Sequence, residues 1–141
     1  MLITRETDYA LRILRALSDG EQATVGDVCK REMLPQQFVY KILKKMEQAG
    51  FVRIARGVEG GCRLTADLEK TSLYDLIEAM KADRLVGACM QPGFQCIWRK
   101  DNASNCMVHG QLQQIQEVLD TELRKRSLRR ILFGNNGHDD N

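Results

Sequence analysis

The sequence predicts a mainly α-helical protein with a small β-hairpin wing: a winged helix-turn-helix followed by a long dimerisation helix. Three observations predict it. Two short amphipathic segments lead through a tight turn into a helix whose outer face is polar and basic. Two β-prone runs then flank the glycine-rich tip Gly57-Val58-Glu59-Gly60. A late apolar stripe continues at helical spacing beyond what so small a domain can cover.

Residues 3–17 read as the first helix. Thr4 can cap it, Ala10, Ile13, Leu14 and Leu17 recur at helical spacing, and Ser18-Asp19-Gly20 ends it. Thr24-Val25-Gly26-Asp27 has the form of a capping box, and Val25, Val28 and Cys29 give the second helix a short apolar face. After Met33-Leu34, Pro35 suits the first position of a third helix, because its missing N–H costs nothing there. Val39, Ile42, Leu43 and Met46 are its core positions, and Gly50 stops it. Residues 51–56 and 61–65 are the predicted strands. Ser72 and Asp75 cap a fourth helix with Leu73, Leu76, Ile77 and Met80 inward. Residues 83–105 have no period. Val108, Leu112, Ile115, Leu119 and Leu123 then space the long helix, whose natural cover is the same helix of a second subunit. The expected organisation is a DNA-binding domain over 1–82, a cysteine-rich loop over 83–105, a dimerisation region over 106–133 and a disordered polar tail over 134–141.

Composition narrows the function. The chain has 141 residues with 43% hydrophobic and 28% charged, ordinary for a soluble globular protein. No apolar run approaches the roughly 20 residues a bilayer span needs. The start, MLITRETDYA, lacks the apolar core of a secretory signal. The expected compartment is the cytoplasm, where five cysteines would not form a disulfide framework. Net charge is +2, unevenly placed. Residues 30–63 carry eight basic and three acidic side chains, so that window is +5 and the remainder −3. Such a basic segment suits a polyanion.

The third helix should enter the major groove of double-stranded DNA. Gln36, Gln37 and Tyr40 are placed to reach base edges, and glutamine can pair bidentately with adenine. Lys41, Lys44 and Lys45 are placed for phosphate, which gives affinity without sequence information. An ordinary solvated helix face would read the same way were it not for the hairpin that follows. There Gly57 and Gly60 allow a sharp tip and close approach to a backbone, and Arg56 beside it can enter a narrow minor groove.

Cys89, Cys96 and Cys106 are separated by six and nine residues, with His109 three beyond the last and on the same helical face as Cys106. Three thiolates and one nitrogen or oxygen ligand suit zinc or an iron–sulfur cluster. The lack of a tight Cys-x-x-Cys knuckle favours the larger unit. Cys29 and Cys62 read as small buried residues. No nucleophile–base pair or cofactor loop supports an enzyme, for instance a small iron–sulfur redox enzyme.

Met1-Leu2-Ile3-Thr4, Asp8-Tyr9-Ala10-Leu11, the wing Arg56-Gly57-Val58-Glu59-Gly60-Gly61-Cys62-Arg63-Leu64 and the three spaced cysteines together resemble the Rrf-two family of bacterial winged-helix transcriptional regulators. The resemblance covers roughly residues 1–133 and implies a homodimer. In cluster-binding members three cysteines hold an iron–sulfur cluster whose state sets operator affinity. IscR-like members add a histidine at the position of His109. NsrR-like members add an aspartate of the other subunit, at the position of Asp8. The longer match around Asp8 favours it as fourth ligand, and with it a nitric-oxide or redox sensor. The cysteine gaps are longer than the family's, which leaves 2Fe-2S and 4Fe-4S both open, and Cys62 stands where a wing tyrosine is common. The expected function is repression through the cluster. The rivals are the same fold acting through cysteine oxidation or zinc, and the redox enzyme.

Overall fold

The computed structural model describes residues 1–135. In chain order it contains α1 (Arg5–Ala16), α2 (Val25–Glu32), α3 (Gln36–Gln48), β1 (Val52–Ala55), β2 (Gly61–Leu64) and α4 (Leu73–Ala79). A single 3-10 turn (Ala88–Met90) leads to α5 (Ile97–Asp101), α6 (Met107–Lys125) and α7 (Leu128–Phe133). No described helix is long and apolar enough to cross a membrane. The tail expected to be disordered lies, from residue 136 on, outside the described residues.

Each helix start has a local cause. Thr4 accepts the Thr7 N–H at 3.2 Å and caps α1. Thr24 and Asp27 close a reciprocal capping box on α2, and Ser72 and Asp75 close another on α4. Pro35 sits at the cap of α3, one position before the place the sequence suggests. Between α2 and α3 the chain turns through Met33 at φ 55°, a left-handed conformation held by its Leu34 neighbour, whose N–H donates to the Cys29 carbonyl at 3.0 Å. Ile13, Leu14, Leu17, Val39, Ile42, Leu43 and Met46 interlock as the core of the three-helix unit. Each such side chain contributes roughly 1.5–3 kcal/mol of apolar burial. Arg15 ties the ends of α1 and α2 together, donating from Nε and Nη2 to the two Glu32 carboxylate oxygens, both at 2.7 Å. That pairing also raises the Arg15 pKa above its ordinary value.

The two strands pair antiparallel, Val52 opposite Leu64 and Ala55 opposite Gly61. Ala23 adds an isolated bridge to Cys62, exchanging N–H···O bonds of 2.9 and 2.8 Å. The wing is thereby stitched to the loop before α2. Gly60 and Gly61 have structural reasons within the hairpin. A Cβ on Gly60 would lie 2.6 Å from the Ala55 carbonyl oxygen, and one on Gly61 would lie 2.5 Å from that of Ala23. Gly57 takes φ 103°, which a side chain would oppose. Cys62 is buried, as the sequence suggests, whereas Cys29, also expected to be buried, is half-buried. Burial pushes the thiol pKa of both upward, with the nearby Cys29 adding to the effect at Cys62.

The long helix departs from expectation. The five stripe residues lie in one arc but are covered unequally along it. Leu123 is buried, and Leu119 is half-buried against the core. Leu112 points toward Gly87, with Cδ1 3.5 Å from where a Cβ would sit. Val108 and Ile115 instead face outward with Met107 and Val118, at 66, 53, 72 and 65% exposure. The inward side carries two polar residues that the period does not mark, Gln116 and Asp120, because Arg84 and the backbone of 84–86 meet them there.

Candidate nucleic-acid interface and cysteine segment

Gln36, Gln37, Tyr40, Lys41 and Lys44 are exposed along the outer face of α3, while its other face is locked into the core. The Gln36 amide donates to the Tyr40 hydroxyl at 3.4 Å, so the two side chains lie over one turn. Lys45 differs from its neighbours. It is half-buried and pairs with Glu6 of α1, which also meets Lys41 at 3.4 Å. The Glu6 carboxyl is held below the usual carboxylate range, first by the hydrogen bond from Lys45. Glu6 thus neutralises the α1 side of α3. Lys44 and Arg56 make no ion pair among the described residues and keep their charge for a ligand.

These two cations share a cleft. Its walls are the start of α2, the outer face of α3 and the wing, and Thr24, Tyr40, Lys44, Arg56, Gly57 and Gly60 line it. Two contacts that sequence reasoning missed fix the wing beside the helix. The Ile54 N–H donates to the Glu47 carboxylate at 2.7 Å, and the Gln22 amide donates to the Glu59 carbonyl at 2.7 Å. Glu47 reads in the sequence as one more surface charge on α3. Its role depends on the bare edge of β1, which no periodicity reveals.

The cysteine segment is only partly assembled. Cys89 lies in the 3-10 turn, Cys96 precedes α5 and Cys106 precedes α6. Cys106 and His109 are brought together: the His109 N–H donates to the Cys106 sulfur at 3.4 Å. The His109 Nδ1 is buried without a hydrogen-bond partner. The Cys106 contact is made by the His109 backbone as a helix cap and not by the imidazole. Among the described residues no three of His, Cys, Asp and Glu are gathered closely enough to hold an ion. Asp8 is on the exposed side of α1, paired with Arg12 at 3.2 Å. By residue type the three thiols and the His109 imidazole suit an iron–sulfur cluster or zinc, and the described residues do not gather them into one site.

A recognition helix with an open amide and lysine face, pinned at its flank to a glycine-tipped wing, defines the winged-helix class of DNA-binding proteins. The profile of the Rrf2 family, described as an iron-dependent transcriptional regulator, matches residues 3–133, and the chain belongs to this family. It is a transcriptional regulator and not an enzyme. The chain is 27% identical over 95 residues to protein aau3 of Rhizobium meliloti, a match spanning 66% of this chain and 62% of that protein. CymR, the global cysteine regulator of B. subtilis, superposes with a TM-score of 0.65 at 15% identity, covering 94% of this chain and 96% of its own. IscR of T. potens superposes with a TM-score of 0.59 at 15% identity, covering 94 and 86%. These likenesses show the winged-helix fold.

Proposed function

We propose that the chain is a homodimeric, cytoplasmic repressor whose affinity for operator DNA is set by the state of its cysteine segment, through an iron–sulfur cluster. The observation that carries the DNA half is the cleft that joins Lys44 of α3 to Arg56 of the wing. In this reading Gln36, Gln37 and Tyr40 meet base edges, Lys41 and Lys44 meet phosphate, and Lys45 contributes less because Glu6 holds it. Removing one phosphate contact lowers the salt slope of log K by about 0.9 for B-DNA. Lys44→Ala is therefore expected to weaken specific and random duplexes alike, with the slope reduced by about 1. Arg56→Ala should weaken operator binding. Gln36→Ala, Gln37→Ala or Tyr40→Ala should lower the specific-to-random ratio. Titrations at several salt concentrations decide it: a ratio that falls for Lys44→Ala and for none of the other three overturns these roles.

The observation that supports the sensing half is that Cys106 and His109 share the first turn of α6, with the His109 Nδ1 buried and unpartnered among the described residues. Cys89, Cys96 and Cys106 with His109, or with Asp8 of the partner subunit, would hold the cluster. A cluster supplies a centre that reacts with oxidants and with nitric oxide. The chain's own part is to place those donors between α4 and α6, so that a change in residues 83–105 acts on the link between the DNA-binding unit and the dimer helix.

A second reading is favoured by the separation of the three cysteines among the described residues. It is regulation by cysteine oxidation or zinc without a cluster, and CymR by its name controls cysteine. Protein purified without oxygen separates the two. Brown protein containing iron and sulfide supports the cluster, and colourless protein that takes up zinc or nothing supports the second reading.

A further inference from the structure

Arg84 stands at the first bend of the cysteine segment, 19% exposed, and three groups converge on it. Its Nη1 donates to both Asp120 carboxylate oxygens at 3.0 Å, and its Nε donates to Glu78 at 2.7 Å. The guanidinium lies 4.7 Å from the centre of the Tyr74 ring, and Arg124 lies 4.0 Å from that ring. Glu78 and Tyr74 belong to α4, Asp120 and Arg124 to α6. Gln116, 7% exposed, completes the joint. Its amide donates to the Arg84 carbonyl at 3.2 Å and to Asp120 at 2.9 Å, and its own carbonyl accepts the Val86 N–H at 2.8 Å. All of these contacts except the Gln116–Asp120 bond, which lies within α6, cross between α4, residues 84–86 and α6.

Two further features frame the joint. The chain leaves α4 through Lys81 at φ 54°, a left-handed closing position after the helix. That exit is closed locally, by the Lys81 N–H on the Glu78 carbonyl at 3.0 Å and the Ala82 N–H on the Ile77 carbonyl at 3.1 Å. Immediately beyond Val86 the segment carrying Cys89 and Cys96 begins, with Gly87 against Leu112 of α6. Apolar contacts tolerate sliding. A forked guanidinium between two carboxylates over an aromatic face fixes one geometry.

We infer that Arg84, held by Asp120 and Gln116, is the positioning residue that transmits the state of the cysteine segment to the DNA-binding unit. It joins α4 to the long helix in one arrangement, so a rearrangement beyond residue 86 pulls on both at once. This rests on residues 83–105 being the sensing segment. By linkage, whatever the segment does to DNA affinity passes through the joint.

The test uses the full chain and a duplex selected from random sequence by the wild-type protein. The loop state is set by a defined probe, iodoacetamide, which carbamidomethylates accessible thiols, in a Cys29→Ser background because Cys29 of α2 is only half-buried; Cys62 is buried and serves as an unmodified control by mass mapping. Dissociation constants are measured for reduced and alkylated wild type, Asp120→Asn and Arg84→Lys, with thermal midpoints alongside. Wild type is expected to change affinity at least tenfold on alkylation. Asp120→Asn should bring that ratio to within about twofold of unity while the reduced protein still binds. Arg84→Lys keeps the charge, loses the fork and should give an intermediate ratio, which preserves the test if Asp120→Asn does not fold. A merely structural joint would weaken both states together and leave the ratio intact, and that outcome overturns the inference. If wild type itself shows no ratio, the sensing role of 83–105 fails first and the inference with it.

Discussion

Ile115→Asp is expected to abolish the dimer and, with it, operator binding. Ile115 projects from the outer side of α6 together with Met107, Val108 and Val118, and all four are exposed among the described residues. Helical geometry puts these four within about 100° of arc, the width of one apolar face. In a two-fold dimer the same face meets itself, so a single substitution enters the interface twice. An unpaired carboxylate held out of water costs on the order of 3 kcal/mol or more. Two of them would raise the dimer dissociation constant by about ten-thousandfold or more. Winged-helix half-sites lie about 34 Å apart, and one half-site contact alone binds weakly. Sedimentation of the variant should show monomer with unchanged helix content. Leu112→Asp is the informative contrast, because Leu112 turns toward Gly87 of its own chain. It should lower the thermal midpoint first. An Ile115→Asp protein that stays dimeric would place the interface elsewhere on the molecule.

That contrast marks where the sequence stops being legible. The DNA-binding unit can be read almost residue by residue, because each of its elements carries its own signal. Thr24 with Asp27 and Ser72 with Asp75 announce helix starts, Gly50 ends α3 at φ 84°, and Val39, Ile42, Leu43 and Met46 sit where the period puts them. The wing follows from two β-prone runs and the glycines between them. The long helix is different. Its spacing of three and four residues permits a broad apolar arc, and the arc is shared between an inner face holding Leu119 and Leu123 and an outer face holding Val108 and Ile115. Only the position of Gln116 and Asp120 tells them apart, and both are drawn inward by Arg84, 32 and 36 residues earlier. The same distance in sequence hides Lys45 with Glu6, and Glu47 under the edge of β1 owes its role to a strand, not to its own helix. α5 spans five residues, too few for any period to register. Of the candidate site, the residue types were legible and the contacts were not: the orphaned Nδ1 of His109 is a property of packing alone.

The choice of fourth ligand gives the second large effect. In the cluster reading three thiolates leave one position to fill, and the two candidates start from different structural states. His109 is within one turn of Cys106, its Nδ1 is already out of water, and it has no partner to give up. Asp8 is exposed and paired with Arg12, an i, i+4 pair worth only a few tenths of a kcal/mol, so it is released cheaply but must travel from the partner subunit. Carboxylate oxygen is a harder donor to iron than imidazole and is exchanged more readily. If Asp8 is the ligand, the cluster is built to lose that ligand to nitric oxide. If His109 is, loading of the site is itself the signal. The longer sequence match favours Asp8, while the unpartnered imidazole favours His109 on energetic grounds, since ligation there removes the penalty of a buried unsatisfied nitrogen, about 1–3 kcal/mol. His109→Ala and Asp8→Ala, each reconstituted without oxygen beside Cys96→Ser, decide between them. Cys96→Ser should lose the cluster absorption outright. His109→Ala is expected to shift the visible spectrum and to shorten the cluster's lifetime in air severalfold, while Asp8→Ala keeps the wild-type spectrum. If Asp8→Ala instead shifts the spectrum and blunts the response to nitric oxide, with His109→Ala silent, the partner's carboxylate is the fourth ligand, and the buried nitrogen of His109 is a feature of the α6 start alone.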